Sequence, residues 1–249
     1  MSSGNGTTGW RAYWEGDASV YVNTRHKIAH YQHLADDLLR VAAGLGRPLG
    51  RIDMLDFGCG EALSADRIAA RIHHLTLSDT SQRVQDGLAR RFGDRKDVSI
   101  LDAEAVAALP DAAFDLIVVN SVLQYVSPDA ATELIRSLAR LVKPDGRMLV
   151  GDVLPPELGA LTDVRELLAF AVRERFLVAA LAGLVRTAAS DYSRLRARVG
   201  LTRYSVVAFK RLARSADLVA EPLQRNIGHN PHRLAFLLSR ANGDRDAPP

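Results

Sequence analysis

Short apolar runs alternate with segments of helical periodicity between positions 52 and 153. The runs that predict β-strands are 52–57, 74–78, 98–101, 114–119 and 147–153. Apolar residues recur at the spacing of an amphipathic helix after position 57 to about 71, and in 81–92 and 127–142. In the run 114–119 every residue except Asp115 is apolar, which is typical of a strand covered on both faces. The alternation predicts an α/β fold with a parallel, doubly wound sheet.

Helical periodicity also precedes and follows this core. It predicts a helical N-terminal cap over 20–43, and glycines and a proline then cluster at 44–50. After Pro155-Pro156 the rhythm changes, and 161–189 predicts one long helix or two. A helix at 205–215 and apolar segments at 218–227 and 233–239 follow, with 228–231 as a hairpin loop. We therefore expect a Rossmann-like, seven-stranded sheet with a helical N-terminal cap and a helical insertion after strand five.

Composition narrows the function classes only a little. The 249 residues carry a formal net charge of +3, which is too weak to indicate nucleic-acid binding. A single cysteine, Cys59, excludes an intramolecular disulfide and gives no zinc spacing, so we expect no metal and a reducing, cytoplasmic location. The start of the chain lacks the order of a signal peptide, and the longest apolar run, 176–185, is too short to span a bilayer.

Polar residues recur where the predicted strands end. Asp56, Asp79, Asp102, the series 120–124 and Asp152 follow successive strands. In a doubly wound sheet these carboxyl ends form the ligand-binding edge. The pattern therefore predicts a binding site there.

The first of these strand ends carries a Gly-x-Gly turn. Gly58 and Gly60 would let a ligand approach the backbone, and the carboxylate of Asp79, about 20 residues later, is suited to a ribose diol. The next residues, 61–64, contain neither the third glycine of a nicotinamide fingerprint nor the lysine of a P-loop. A nicotinamide oxidoreductase is therefore a distant alternative.

Five motifs in order carry a specific resemblance. The series Asp56-Phe57-Gly58-Cys59-Gly60-Glu61-Ala62 resembles motif I of class I S-adenosylmethionine-dependent methyltransferases, here of the small-molecule type. The segments 77–81, 101–103, 109–120 and 138–149 are similar to the later strand ends and turns of that family. Ala62 stands where a third glycine is common, and Asp145 replaces a glycine of the Lys-Pro-Gly-Gly turn.

The resemblance implies S-adenosyl-L-methionine as the cofactor and gives each strand end a role. The methionine end would lie on Gly58, Cys59 and Gly60, with Asp56 orienting the loop or the amino group. The remaining contacts that it implies are to the ribose, the adenine and the cofactor's flank. These contacts are Asp79 and Thr80 for the ribose, Asp102 and Ala103 for the adenine, and Asn120 and Ser121 beside the cofactor. Tyr21, with Tyr13 and Trp14, would belong to a lid over the cofactor or to ordinary cap packing.

A sulfonium methyl group is already activated, so the protein must align the acceptor and exclude water. A hydroxyl acceptor also needs a general base. The leading catalytic candidates are His229, Tyr125 and His26, and the other candidates are His30, Asp152 and His232, with Gln124 as a wall residue. The Asn-Pro-Pro-Tyr series of amino-methyltransferases is absent from 120–123, which argues against nucleic-acid bases as acceptors.

The segment after strand five is expected to determine the substrate. Its apolar stripe, which includes Leu161, Phe170 and Leu181, is interpreted as a lid or dimer contact. The stretch 186–214 carries eight basic side chains and one acidic one, Asp191, which indicates a solvated face or a dock for an anionic substrate or membrane.

The predicted division of the chain follows these patterns. It comprises a flexible N-terminus (1–17), a cap (18–50), an S-adenosylmethionine-binding core (51–154), a helical lid (155–204), the end of the core (205–240) and a disordered tail (241–249). We expect O-methylation of a small molecule or a glycan or lipid intermediate, possibly anionic, by a monomer or homodimer. A non-catalytic binding subunit and a membrane-surface lipid methyltransferase remain alternatives.

Overall fold

A computed structural model describes residues 21–188 and 200–241. The strands are β1 (Asp53–Phe57), β2 (His74–Ser78), β3 (Val98–Leu101), β4 (Phe114–Asn120), β5 (Val142–Val153), β6 (Leu218–Pro222) and β7 (Leu234–Arg240). The α-helices are α1 (Thr24–Ala43), α2 (Ala65–Ala69), α3 (Gln82–Phe92), α4 (Ala103–Ala107), α5 (Pro128–Ala139), α6 (Ala160–Arg173), α7 (Leu177–Ala188) and α8 (Val206–Arg214). Tyr13 and Trp14 lie outside the described residues.

All seven strands form one sheet in the order β3-β2-β1-β4-β5-β7-β6. Strands β1 to β5 run parallel, whereas β7 is antiparallel to both β5 and β6. The predicted seven-stranded, Rossmann-like fold with a helical cap is thus confirmed. Because β6 runs parallel to β1–β5, the loop from β6 to β7 (residues 223–233) returns at the carboxyl edge, where Leu234 pairs with Val153 at the end of β5.

Helices cover both faces of the sheet because its central strands are apolar on both sides. Six of the seven residues of β4 are buried. On one face the core includes Leu38 of α1 and Leu88 of α3, and on the other it includes Ile135 of α5 and Phe209 of α8. This two-sided burial holds the strand ends, and the side chains that follow them, at fixed positions.

The predicted elements differ from the observed ones in a few places. The predicted helix after β1 is reduced to α2, because residues 58–64 form the glycine turn. The predicted turn at 143–146 lies inside β5, where the register with β4 shifts between Phe114 and Leu116. The short helix α4, which follows β3, was not predicted, because its five residues are too few to show a helical repeat of apolar positions.

The insertion consists of two helices rather than one. The chain turns between α6 and α7 at Arg175, whose φ of +60° is left-handed. Phe170 and Phe176, on either side of this turn, pack with Val22 at the start of the cap. Gly183 of α7 lies so close to Val22 that a Cβ added to Gly183 would be 2.4 Å from Cγ1 of Val22. The insertion is therefore packed against the cap. Among the described helices, none combines the length and the apolar character needed to cross a bilayer.

Candidate active site

The turn after β1 has the backbone conformation that its glycines predict. Gly58 has φ +75° and Gly60 has φ +57°, both in the left-handed region that glycine tolerates without strain. The amides of Gly58 and Cys59 donate to the carbonyl of Ser78 at the end of β2, at 2.7 and 3.0 Å. A Cβ at Gly58 would lie 2.4 Å from Val122 Cγ2, so the strand-four loop passes directly over the turn.

Asp79 joins this turn to the end of β2. Its Oδ2 accepts a hydrogen bond from the Gly60 amide, and its Oδ1 accepts one from the Ser81 amide, both at 2.9 Å. Both oxygens of the carboxylate are thus fixed by backbone donors. The carboxylate is therefore held at the strand tips, next to the glycine turn. Thr80, which follows it, is exposed.

Asp56 lies beneath the same turn and is 7 % exposed. Burial and the nearby charge of Asp79 raise the pKa of Asp56 to about 7. The same surroundings raise the pKa of the Cys59 thiol, chiefly through burial, so this cysteine is not an activated nucleophile. Two neighbouring acidic groups, of which Asp56 is buried and Asp79 half-buried, favour a ligand that carries positive charge.

Two tyrosines cover the turn from the cap side. The Tyr31 hydroxyl accepts a hydrogen bond from the Glu61 amide at 3.0 Å, and it lies 2.8 Å from the position of an added Cβ on Gly60. The ring of Tyr21 lies 6.0 Å from that of Tyr31 and 5.4 Å from that of His30. Burial raises the pKa of both tyrosines, so both hydroxyls stay protonated. Tyr21 thus lies near the predicted cofactor edge.

The predicted adenine contacts lie at the end of β3. Asp102 caps α4, and its Oδ1 accepts from the Ala105 amide at 2.7 Å. The Ala103 amide belongs to the first turn of that helix, where backbone donors have no partner within the helix. The side chain of Asp102 is exposed, in contrast to Asp56 and Asp79.

A polar network occupies the ends of β4 and β5. The Ser121 hydroxyl donates to Asp152 Oδ2 at 2.6 Å, and Arg233 from the β6–β7 loop donates to the same oxygen at 2.7 Å. Arg233 also pairs with Asp163 of α6 at 3.1 Å. Asn226 closes the network, since its Oδ1 accepts from the Asp152 amide at 2.9 Å.

Both charged partners of the network keep their charge. Burial opposes ionisation of Asp152, but Arg233 and the Ser121 hydroxyl together hold the pKa of that carboxyl below its usual range. Ser121 and Asp152 themselves have left-handed backbones, at φ +58° and +61°. Strain of this kind at non-glycine residues is typical of sites that the surrounding structure holds in place for a function.

Three histidines meet where the cap, the β6–β7 loop and the insertion pack together. The rings of His26 and His30, one turn apart on α1, lie 5.8 and 5.7 Å from the ring of His229 in the β6–β7 loop. His229 stacks on Phe170 at 4.9 Å, and His26 stacks on Phe176 at 5.0 Å. Burial lowers the pKa of His26 and of His30 to about 4 and that of His229 to about 3. Repulsion from His30 adds to the lowering for His26 and His229, and Asp152 partly opposes the lowering for His30. All three are neutral at pH 7.

The predicted catalytic candidates do not all come together. His26, His30, His229 and Asp152 lie in one region, and Tyr125 lies close enough to Arg233 to affect the pKa of that guanidinium. His232 instead points away, pairing with Glu166 at 3.2 Å with a side chain that is 54 % exposed. In the described parts of the chain, no group of three or more His, Cys, Asp or Glu side chains is arranged to hold a metal ion.

Sequence reasoning missed several side chains of this site. They are Tyr31, Asp163, Asn226, Asn230 and Arg233. Tyr31 lies one residue after His30 on the cap helix, so the cap's position over the glycine turn would have indicated it. The others depend on how the β6–β7 loop folds back, for which the sequence carries no local signal.

The residues present fit S-adenosylmethionine. Added Cβ atoms at Gly58 and Gly60 would collide with Val122 and Tyr31, so the turn at the predicted methionine end requires glycine at both positions. The buried side-chain oxygens of Ser78, Ser81 and Asn120 have no hydrogen-bond partner within the described structure. Unpaired buried oxygens are costly and call for a further donor.

Known methyltransferases are similar to this chain in sequence. The family model of a methyltransferase domain matches residues 55–150. An uncharacterised methyltransferase of Mycobacterium tuberculosis is 35% identical over 130 residues, which are 52% of this chain and 60% of that relative. The ubiquinone biosynthesis O-methyltransferase of Ralstonia nicotianae is 31% identical over 109 residues, 43% of this chain and 45% of that protein. The chain thus spans less than two thirds of the length of these relatives.

A solved structure matches over nearly the whole chain. The 1,6-didemethyltoxoflavin-N1-methyltransferase of Burkholderia thailandensis, with bound 1,6-didemethyltoxoflavin and S-adenosylhomocysteine, superposes with a TM-score of 0.62. The match covers 97% of this chain and 92% of the other at 18% identity. At that identity the likeness establishes a common fold.

Proposed function

The chain carries a class I S-adenosylmethionine-dependent methyltransferase domain, and on that premise we propose that it transfers a methyl group to a hydroxyl of a small organic acceptor. The observation that carries the proposal is the left-handed Gly58–Gly60 turn tied to the carboxylate of Asp79. In this proposal Gly58, Cys59 and Gly60 hold the methionine end and Asp79 holds the ribose hydroxyls.

The other predicted cofactor contacts keep their roles as proposals. Thr80 lies beside the ribose, Asp102 and Ala103 hold the adenine edge, and Asn120 and Ser121 pass beside the cofactor. Asp56 and Tyr21 face the methionine end. S-adenosylmethionine, when bound, supplies an activated methyl group on a positively charged sulfur. The pKa of Asp56 is about 7, and a positively charged ligand bound nearby would favour the ionised form of this carboxyl.

We assign the general base to His30 rather than to His229, His26 or Tyr125. The Nδ1 atom of His30 is buried and has no hydrogen-bond partner in the described structure. Asp152 lies close enough to favour the charged form of His30, so it would stabilise the imidazolium that forms when His30 takes the acceptor's proton. His26 Nδ1, by contrast, already accepts from the Val22 amide at 3.3 Å.

The surroundings support an acceptor without net charge. The three histidines are neutral at pH 7, and Arg233 is shared between the carboxylates of Asp152 and Asp163. The ring of Tyr21 beside the histidines offers an apolar wall to a flat acceptor. Since the Ralstonia relative is a ubiquinone biosynthesis O-methyltransferase, hydroxylated aromatic rings are the acceptors to try first.

Calorimetry with S-adenosylmethionine tests cofactor binding. Asp79→Asn should weaken binding by about 1.5–3 kcal/mol, roughly 10- to 100-fold, because it removes a charged hydrogen-bond acceptor. Asp94→Asn, an exposed change at the end of α3, is the matched control and should bind as the wild type does. Equal affinities for the two variants, or no binding by the wild-type chain, would refute the assignment.

Methyl transfer is measured with cofactor labelled in its methyl group and a panel of phenols and catechols. We expect label in the product, and at least a hundredfold loss of kcat in His30→Gln with unchanged cofactor affinity. Cofactor binding without transfer to any acceptor would favour the non-catalytic binding subunit instead.

A further inference from the structure

The helical insertion exposes an unusual share of the molecule's large apolar side chains. Among the described residues eight such side chains are exposed, and five of them belong to α6 and α7. They are Leu161 (85 % exposed), Val172 (61 %), Leu177 (39 %), Val178 (83 %) and Leu181 (50 %). We call these five residues the apolar face of the insertion.

These side chains are arranged on shared surfaces rather than scattered. Leu161 and Val172 are eleven residues apart on α6, three full helical turns, so they lie along one stripe. Val172, Leu177 and Val178 line one groove together with Arg25 and Arg175. An exposed apolar groove rimmed by polar side chains is typical of an interaction site.

The acidic and basic side chains of the insertion lie on different sides of its helices. The acidic side chains of α6 and of the turn that follows it are directed inward and paired: Asp163 with Arg233 at 3.1 Å, Glu166 with His232 at 3.2 Å, and Glu174 with His33 at 3.0 Å. Glu157, which precedes α6, is exposed. The basic side chains Arg165, Arg173 and Arg175 are exposed, as is Arg25 of the neighbouring cap. The outward charge beside the apolar face is therefore positive.

We propose that the apolar face of the insertion docks onto an anionic lipid bilayer. Apolar side chains beside arginines are the combination by which peripheral helices insert into the headgroup region of acidic membranes. A second copy of the chain fits the charge less well, because a symmetric contact would bring the same arginines together. The docking is peripheral and does not depend on the proposed methyl transfer.

Vesicle sedimentation of the full chain tests this proposal. The protein should sediment with vesicles of phosphatidylcholine and phosphatidylglycerol, and should do so much less with phosphatidylcholine alone or in high salt. Arg165→Gln with Arg175→Gln should weaken partitioning roughly 30-fold, as expected for two arginines worth about 1 kcal/mol each near an acidic surface. Leu161→Asp with Val178→Asp should abolish it without unfolding the protein, since both side chains are almost fully exposed.

The matched control uses another basic helix. Val207 of α8 is 67 % exposed, and Arg211 and Arg214 follow it on the same helix. Val207→Asp with Arg211→Gln and Arg214→Gln should leave vesicle binding unchanged. A loss confined to this control, equal binding to neutral vesicles, or light scattering that shows a dimer broken by Val178→Asp would each overturn the proposal. Calorimetry with S-adenosylmethionine on the same samples separates this outcome from failure of the proposed function.

Discussion

At the scale of single residues, Gly58 and Gly46 allow the cost of a left-handed backbone to be distinguished from the cost of a steric clash. Gly58 and Gly46 have φ +75° and +74°, but an added Cβ at Gly58 meets Val122 at 2.4 Å, whereas at Gly46 it meets nothing within 4 Å. Gly46→Ala should cost about 1–2 kcal/mol of unfolding free energy, the penalty of a left-handed alanine, and leave cofactor affinity unchanged.

Gly58→Ala should cost more than Gly46→Ala, because the same backbone penalty is joined by displacement of Val122. The displaced strand-four loop should also weaken S-adenosylmethionine binding at least tenfold. Urea denaturation and calorimetry on both variants measure the two effects. Equal stability losses and equal affinities would show that the loop passes over the turn without constraining it.

At the scale of elements, Arg233 holds three parts of the molecule together. It donates from the β6–β7 loop to Asp152 after β5 and to Asp163 of α6, and its side chain is 19 % exposed. Arg233→Met should lower the free energy of unfolding by about 3–5 kcal/mol, because it leaves a buried carboxylate without its cation.

Arg67 provides the control for this change. The Arg67–Asp36 pair has the same 2.7 Å distance as the Arg233–Asp152 pair, but the side chains of Arg67 and Asp36 are both nearly half exposed. Arg67→Met should therefore cost less than about 1 kcal/mol. Comparable losses in the two variants, measured by chemical denaturation, would contradict a role for Arg233 as the link between these elements.

These elements also show how far sequence reasoning reaches. The strands β1 to β4 could be predicted to within a residue because local apolar runs with polar ends determine them. The glycine turn and Asp79 could be predicted because both depend on local sequence: glycines supply the backbone freedom that the turn needs, and an aspartate follows the next strand. The contacts of Arg233 and Asn226 could not, since they form only when a loop some 70 to 80 residues along the chain folds back onto β5. Likewise, Arg175 gives no sign of the break between α6 and α7.

At the scale of the whole molecule, the three neutral histidines join the cap, the β6–β7 loop and the insertion. Their pKa values of about 3 to 4 lie below the ordinary histidine value near 6.5. Between these limits the unfolded chain binds protons that the folded chain does not, so stability is complete above about pH 6.5 and is lost as the pH falls toward 4. Each such histidine contributes a slope of up to about 1.4 kcal/mol per pH unit in that window.

Denaturation at pH 7.5, 6.5, 5.5 and 4.5 measures this slope, and His26→Phe isolates part of it. The ring of His26 already stacks on Phe176 at 5.0 Å, so phenylalanine suits the position and removes a proton-binding site. The variant should keep its stability better than the wild type as the pH falls. His73→Gln, which removes an exposed imidazole paired with Asp53 at 2.7 Å, should not produce this gain, because a carboxylate partner favours the protonated form of a histidine. If the wild-type chain were equally stable at pH 7.5 and 4.5, the histidines could not be buried in their neutral form where the cap, the loop and the insertion meet.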